Sequence, residues 1–241
     1  MKRKIFVLAV IIVIIGASGC IGNWNDGKIE GEMHSLGNFN ASSLMVKDVV
    51  GDVIIEQGSS NGIRVETTLP LKYRNGSMLV LYCPKENGRN KCNDYKNGIV
   101  RIKTDIMAII IKDTVGGIKS TAKVASFNAS DVVGRFRLEF NTSFVSMRNI
   151  VGDVCFDGSV KKAEIENIVG KVELNLESAN EISIKDVVGD IDVKVPTNAR
   201  VGLKFKDSIN LKLDVDESIY NGSKPLKLNL YNIIGKVKIG K

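Results

Sequence analysis

Residues Asn149–Phe156 read NIVGDVCF. The phrase returns at Asn167–Leu174 as NIVGKVEL and at Asp186–Val193 as DVVGDIDV. A catalytic loop is needed once; a phrase that recurs at a fixed interval is a structural unit. Written [DN]-[VI]-[VI]-G-x-[VIF]-x-[ILVF], it has copies centred on Gly51, Gly134, Gly152, Gly170, Gly189 and Gly235, and the middle four are spaced 18, 18 and 19 residues apart. A worn copy, KDSINLKL, follows, with Asp207 standing 18 residues after Gly189 and expected in the glycine position. Periods this short point to stacked repeats.

Each copy has strand character on both sides of its glycine. Ala163 and Ile165 alternate before Gly170, and Val172, Leu174 and Leu176 alternate after it. Period two with β-branched enrichment predicts strands with one buried face. The glycine predicts a corner whose backbone a Cβ would forbid. Each copy is therefore strand, bend, strand.

The outward positions favour parallel stacking over antiparallel hairpins. The residue after the glycine runs Arg135, Asp153, Lys171, Asp190, and four before it the order is Arg148, Glu166, Lys185. Both rows alternate in sign. Equivalent positions about 4.8 Å apart would gain a few tenths of a kcal/mol from that order. Glu139 and Asp157 would be adjacent with like sign. A third row, Asp131, Asn149, Asn167 and Asp186, shares the parity of the buried positions, where short polar side chains suit free backbone groups at a bend.

The fold class expected is all-β: a single-domain right-handed parallel β-helix (β-solenoid) with an 18–19-residue repeat. It would span residues 44–241, most regular from Gly134 to Leu213, with about ten rungs and a length of roughly 50 Å. The segment Asp105–Gly117 reads as a strand pair or a short helix covering one end. DESIYNGSKP reads as an insertion before a last rung at LYNIIGKVKIG.

The leader MKRKIFVLAVIIVIIGASGCIG sets the compartment. Lys2, Arg3 and Lys4 precede a short apolar run and small residues, as in a secretory signal; the run is short for a bilayer span of roughly 20 residues. ASGC resembles the lipobox of secreted lipoproteins. Residues 1–19 are then a lipoprotein signal peptide, and Cys20 is the lipidated N-terminus, with palmitate among its acyl groups. Residues 20–43 form a flexible stalk. The expected location is the cell membrane, lipid-anchored and facing the extracellular side. Cys83 and Cys92 bracket CPKENGRNKC, a loop that a disulfide would close; the alternatives are two thiols or, with less support from spacing, a zinc site. Cys155 faces outward by parity, either under a loop or as a surface thiol. Asn40, Asn75, Asn128, Asn141 and Asn221 are glycosylation candidates.

Chemistry is thin. The chain carries one His, His34, and one Trp, Trp24, so a histidine metal cage has no ligands to draw on and a Ser-His-Asp triad would have to use His34. No catalytic, metal or cofactor site is assigned. Asp48, Asp52, Asp153, Asp186 and Asp190 could offer oxygens to calcium, but Asp153 and Asp190 are separated by the Lys171 copy, and a ladder and turn-capping role fits them better. TVGGIK at Thr114 lacks the spacing of a phosphate loop. Removing the three leader bases from a net charge of +7 leaves about +4, interspersed, which excludes the concentrated patch of a nucleic-acid binder. Tyr82 and Tyr95 flank the Cys83–Cys92 loop, the best placed recognition tip.

The segments VKDVVGDVIIEQGSSNGIRVET (46–67) and VPTNARVGLKFKDSINLKL (195–213), with the Gly-Asp-Val repeats, resemble the adhesin-like, autotransporter-head-like β-solenoid family over roughly residues 44–241, with a poor fit at 70–125. The resemblance implies a right-handed β-helix on a cell surface and supplies no catalytic residues. The expected function is a membrane-anchored, non-enzymatic, adhesin-like scaffold with envelope-protein or glycan partners. The alternative is an extracellular carbohydrate-active enzyme, a lyase or hydrolase, on a β-helix. A third reading is an assembly subunit, because open ends expose unpaired strands; oligomeric state is left open.

Overall fold

The computed structural model describes residues 31–58, 62–95, 97–207 and 211–241. The expected signal peptide, the lipidated Cys20 and the stalk as far as residue 30, with Trp24, lie outside the described residues. The described residues are all-β, 68% strand, with two 3-10 turns at Lys91–Asp94 and Glu217–Tyr220. No helix among the described residues is long and apolar enough to cross a membrane. Among the described residues one 19-stranded sheet, mixed and not closed, contains all strands but a two-strand hairpin.

Within it the repeated phrases pair in parallel at the expected interval. Phe127, Val145, Ala163 and Ile182 are register partners in turn, as are Phe136, Val154, Val172 and Ile191. Inward residues of both runs are buried, and each stacks on its counterpart one rung away, so a single period-two pattern fills one continuous core. Nine strand–corner–strand rungs are counted among the described residues, against about ten expected, a stack of about 43 Å at the same spacing. Asp105–Gly117 contains no helix; Ala108–Val115 is a strand between Ser43–Lys47 and Ser126–Val133.

Rung order in space departs from rung order in sequence at both ends. The rung of 43–57 lies inside that of 78–104, because Ser43–Lys47 pairs with both Met78–Tyr82 and Ala108–Val115. The rung of 224–240 lies between 181–194 and 199–215. LYNIIGKVKIG is thus last in the chain but not outermost. Burial follows the exchange. Leu226, Leu228, Leu230, Ile233, Val237 and Ile239 are all buried, whereas the outer rung keeps Leu203, Phe205 and Leu211 half-buried and Leu213 exposed. The position covered on both sides buries the apolar row of 224–240, and the outermost position leaves the equally alternating row of 199–215 open on one side.

The other end is antiparallel rather than parallel. Ile63–Thr67 runs against Ile99–Thr104, and His34–Phe39 against Ile63–Thr67. Residues 34–39, expected in a flexible stalk, are therefore an edge strand. Their pairing covers backbone groups that a bare parallel rung would leave open. His34 is exposed on that strand. Cys155 is buried, which removes the reading of it as a surface thiol.

Candidate functional site

The corner is built from four consecutive residues. Asp131, Asn149, Asn167, Asp186 and Asn232 all have φ between 50° and 58°. Asn and Asp tolerate this left-handed conformation better than other side chains bearing a Cβ. Asp207, in register with Asn232 by extension of the Lys206–Tyr231 pair, has φ 56° and belongs to this row, not to the glycine row. The left-handed residue also resets the alternation. Asp131, Asn149 and Asn167 are exposed instead of following the buried parity. Their side chains bond one another rather than the backbone: Asn149 Nδ2 donates to Asp131 Oδ1 at 2.8 Å, Asn167 Nδ2 to Asn149 Oδ1 at 3.0 Å, and Asn232 Nδ2 to Asp186 Oδ1 at 2.6 Å.

The glycines form a column in which each backbone rests on the next. A Cβ built on Gly134, Gly152, Gly170, Gly189 or Gly235 would run into the carbonyl oxygen of the preceding glycine of the column. Gly116 belongs to the column between Gly51 and Gly134, so DTVGG is a further copy. Its position 18 residues before Gly134 was a readable signal, obscured by Thr114 in an aliphatic position.

The residue after the glycine explains the charge order. Asp52, Asp153 and Asp190 accept the backbone N–H of Gly117, Lys171 and Lys236 one rung on, at 2.7, 3.0 and 2.9 Å. Arg135 approaches Asp153 at 3.9 Å. Asp153→Ala is expected to lower unfolding free energy by about 1 kcal/mol in urea titration, and Asp153→Asn, which keeps the acceptor, by less than half of that. Equal losses from both would remove the capping role.

The other alternating row is also in register: Arg148 Nε lies 3.8 Å and Lys185 Nζ 2.8 Å from Glu166. Hydrogen bonds donated to Glu166, then Asp186, hold the Lys185 ammonium above its ordinary pKa, and the one that Glu164 accepts from Lys162 holds the Glu164 carboxyl below its own. These groups are largely exposed, so the row contributes more to a patterned surface than to stability. Like-charged Glu139 and Asp157 are adjacent as expected, and Glu139 bonds Arg137 on its own strand.

One row escaped the sequence reading. Of the two aliphatic residues before each glycine, the first is buried and the second is not. Val115, Val133, Val151, Val169, Val188 and Ile234 are 37–50% exposed and stacked in register. This apolar stripe, about 24 Å long, lies between the Asn/Asp ladder and the charged row.

Cys83 and Cys92 form a disulfide with Cα atoms 5.8 Å apart. It closes a hairpin, Lys85–Glu86 against Arg89–Asn90, around Asn87 and Gly88, both at positive φ as a tight Asn-Gly turn requires. Lys85 Nζ lies 3.2 Å from Asp48 Oδ1, and Asn90 Nδ2 donates to the Asp48 carbonyl. The loop is thus pinned to the first corner. Tyr95 is exposed, while Tyr82 lies under the Arg74 guanidinium, 5.7 Å from the ring centroid. Of the sequons, Asn40, Asn75, Asn141 and Asn221 are exposed, and Asn128 is half-buried within a strand; Asn141 Oδ1 accepts the Ser159 N–H. Among the described residues no group of three His, Cys, Asp or Glu could hold a metal ion.

No protein-family model matches the chain, and no curated protein matches it. In fold it is similar to a "putative adhesin" from Bacteroides fragilis, with a TM-score of 0.61 and 17% identity over 86% of this chain and 97% of that one. A "putative lipid binding protein" from Parabacteroides distasonis aligns over 87% of this chain and 96% of that one at 14% identity, with a TM-score of 0.48. The first likeness establishes a shared fold.

Proposed function

We propose that the chain is a right-handed β-solenoid of the adhesin-like kind, exported, lipid-anchored at Cys20 and held outside the cell membrane as a rigid, non-enzymatic scaffold. Residues 1–19 are the signal peptide, the segment after Cys20 is a short tether, and the solenoid follows. The observation that carries the reading is register. Residues 18 or 19 apart sit over one another through the centre of the chain, so any residue type placed at one position becomes a continuous external row. Such a surface engages extended partners, envelope proteins or glycans, along a line rather than enclosing a small substrate. Right-handedness follows from the strong preference of parallel crossovers for that hand. The adhesin-like label draws support from the fold shared with the Bacteroides fragilis protein.

Mass spectrometry of the protein purified from its native membrane tests the anchor. The expected N-terminus is Cys20 carrying lipid, and an intact Met1 would defeat that reading. Incubation with surface polysaccharides, with and without calcium, is expected to release no reducing ends or unsaturated products; release would make the chain an enzyme.

A further inference from the structure

We propose that the valine stripe is a homotypic docking surface on which a second copy of this chain lies antiparallel, with a twofold axis passing between the Val151 and Val169 rungs. Six stacked aliphatic side chains, Val115 to Ile234, face solvent in one line. Each offers roughly 70 Å², so a pair of stripes buries about 800 Å², to which the flanking rows add; this falls in the range of weak, reversible contacts.

The charged row fixes the partner and its register. In an antiparallel pair with the axis across the stripe, each row meets its own counterpart read backwards. Along the stack the residues after the glycines run Asp52, Gly117, Arg135, Asp153, Lys171, Asp190 and Lys236, and Lys212 follows as the register partner of Lys236. An axis between Asp153 and Lys171 sets Asp153 against the second copy's Lys171, Arg135 against its Asp190 and Asp52 against its Lys212. Gly117 meets Lys236, and no like charges meet in this row. Moving the axis one rung either way sets Asp52 against Asp190 or Arg135 against Lys212. The matched register is also the one in which all six stripe residues overlap. On the other flank Asn149 meets the second copy's Asn167, a pairing of amides; the like-charged meetings there are Asp131 with Asp186 and, at the outermost rungs, Asp48 with Asp207.

The antiparallel pair points the two N-terminal ends in opposite directions. The pair itself needs no anchor. Its use, joining two membranes through identical molecules, rests on the anchored reading above.

The full chain in density-matched mild detergent is followed by sedimentation equilibrium up to about 1 mM, the range in which weak interfaces associate. The expected mass approaches two chains. Val169→Asp raises the dissociation constant at least about tenfold. Arg135→Glu and Asp190→Lys each weaken the pair about threefold or more, and the double variant recovers most of that loss. Within one chain the two residues are three rungs, about 14 Å, apart, so recovery reports a contact between copies. Circular dichroism establishes that each variant is folded. A monomer throughout, a two-chain mass indifferent to Val169→Asp, or a double variant no better than the single ones overturns the pair. Clustering of phosphatidylcholine vesicles bearing the full chain is scored separately. A two-chain mass without clustering supports the pair and counts against the anchored reading.

Discussion

Gly170→Val is expected to lower the thermal midpoint by about 10 °C. Gly170 has φ 146°, a region that side chains with a Cβ rarely enter, and the Cβ would collide with the Gly152 carbonyl oxygen. Neither part can move cheaply. The Gly152 N–H is bonded to the Val169 carbonyl and the Gly170 N–H to the Val188 carbonyl, so a shift of one corner pulls on the ladder to both sides. Backbone strain of about 1–3 kcal/mol and forced repacking of about 1–3 kcal/mol together give about 4 kcal/mol. In a chain of this size each kcal/mol moves the midpoint by about 2–4 °C. Gly170→Ala is expected to move it in the same direction by less, since the Cβ alone makes the contact and valine adds the branch. Thermal unfolding followed by far-ultraviolet circular dichroism reads both. A Gly170→Val midpoint within about 2 °C of the parent would mean that the corner has room for a side chain and that the glycine column is incidental.

The column was legible because the repeat averages over its own noise. One glycine after two aliphatic residues says little; the same arrangement returning near every eighteenth position says corner, and alternation on either side says which residues are inside. The charge order was legible for the same reason, although its cause was not. Asp153 is there for the Lys171 N–H, a backbone partner that no charge pattern displays. The valine stripe was not legible because the two positions before each glycine carry the same kinds of aliphatic residue. Ile168 is buried and Val169 exposed, and only the left-handed turn at Asn167 decides which. Thr114 hid a copy whose glycine stood at the right interval. The order of the outer rungs was not legible, since sequence adjacency predicts spatial adjacency only while each rung has one natural neighbour. At one end a later rung, 224–240, takes the covered position over an earlier one, 199–215, although both alternate alike. The antiparallel edge at His34–Phe39 lies in a polar, glycine-containing segment whose pairing depends on a backbone edge elsewhere, and composition does not record that.

Phe127→Ala is the second large effect, about 3–5 kcal/mol of unfolding free energy in guanidinium titration. Phe127 is fully buried, with Ile109 and Val145 as its register partners on either side. Its ring centroid lies 5.7 Å from that of Phe140, which lies 5.9 Å from Phe156 on the neighbouring rung. The ring therefore links two strand runs across the interior as well as two rungs along it. The gap left by alanine cannot close by collapse, because the ladder spacing holds the backbones above and below at a fixed separation. Phe127→Leu refills most of the volume and is expected to cost less than about 1.5 kcal/mol. The loss should also be local in its dynamics. In a stack where each rung contacts chiefly its two neighbours, amide exchange should accelerate most in the rungs of 108–120, 126–139 and 142–157 and least toward 224–240. A cost below about 1 kcal/mol would show that the interior tolerates a void, and exchange rising evenly along the chain would show that the stack unfolds as one unit. Either result would weaken the case for a rod stiff enough to hold its external rows in line.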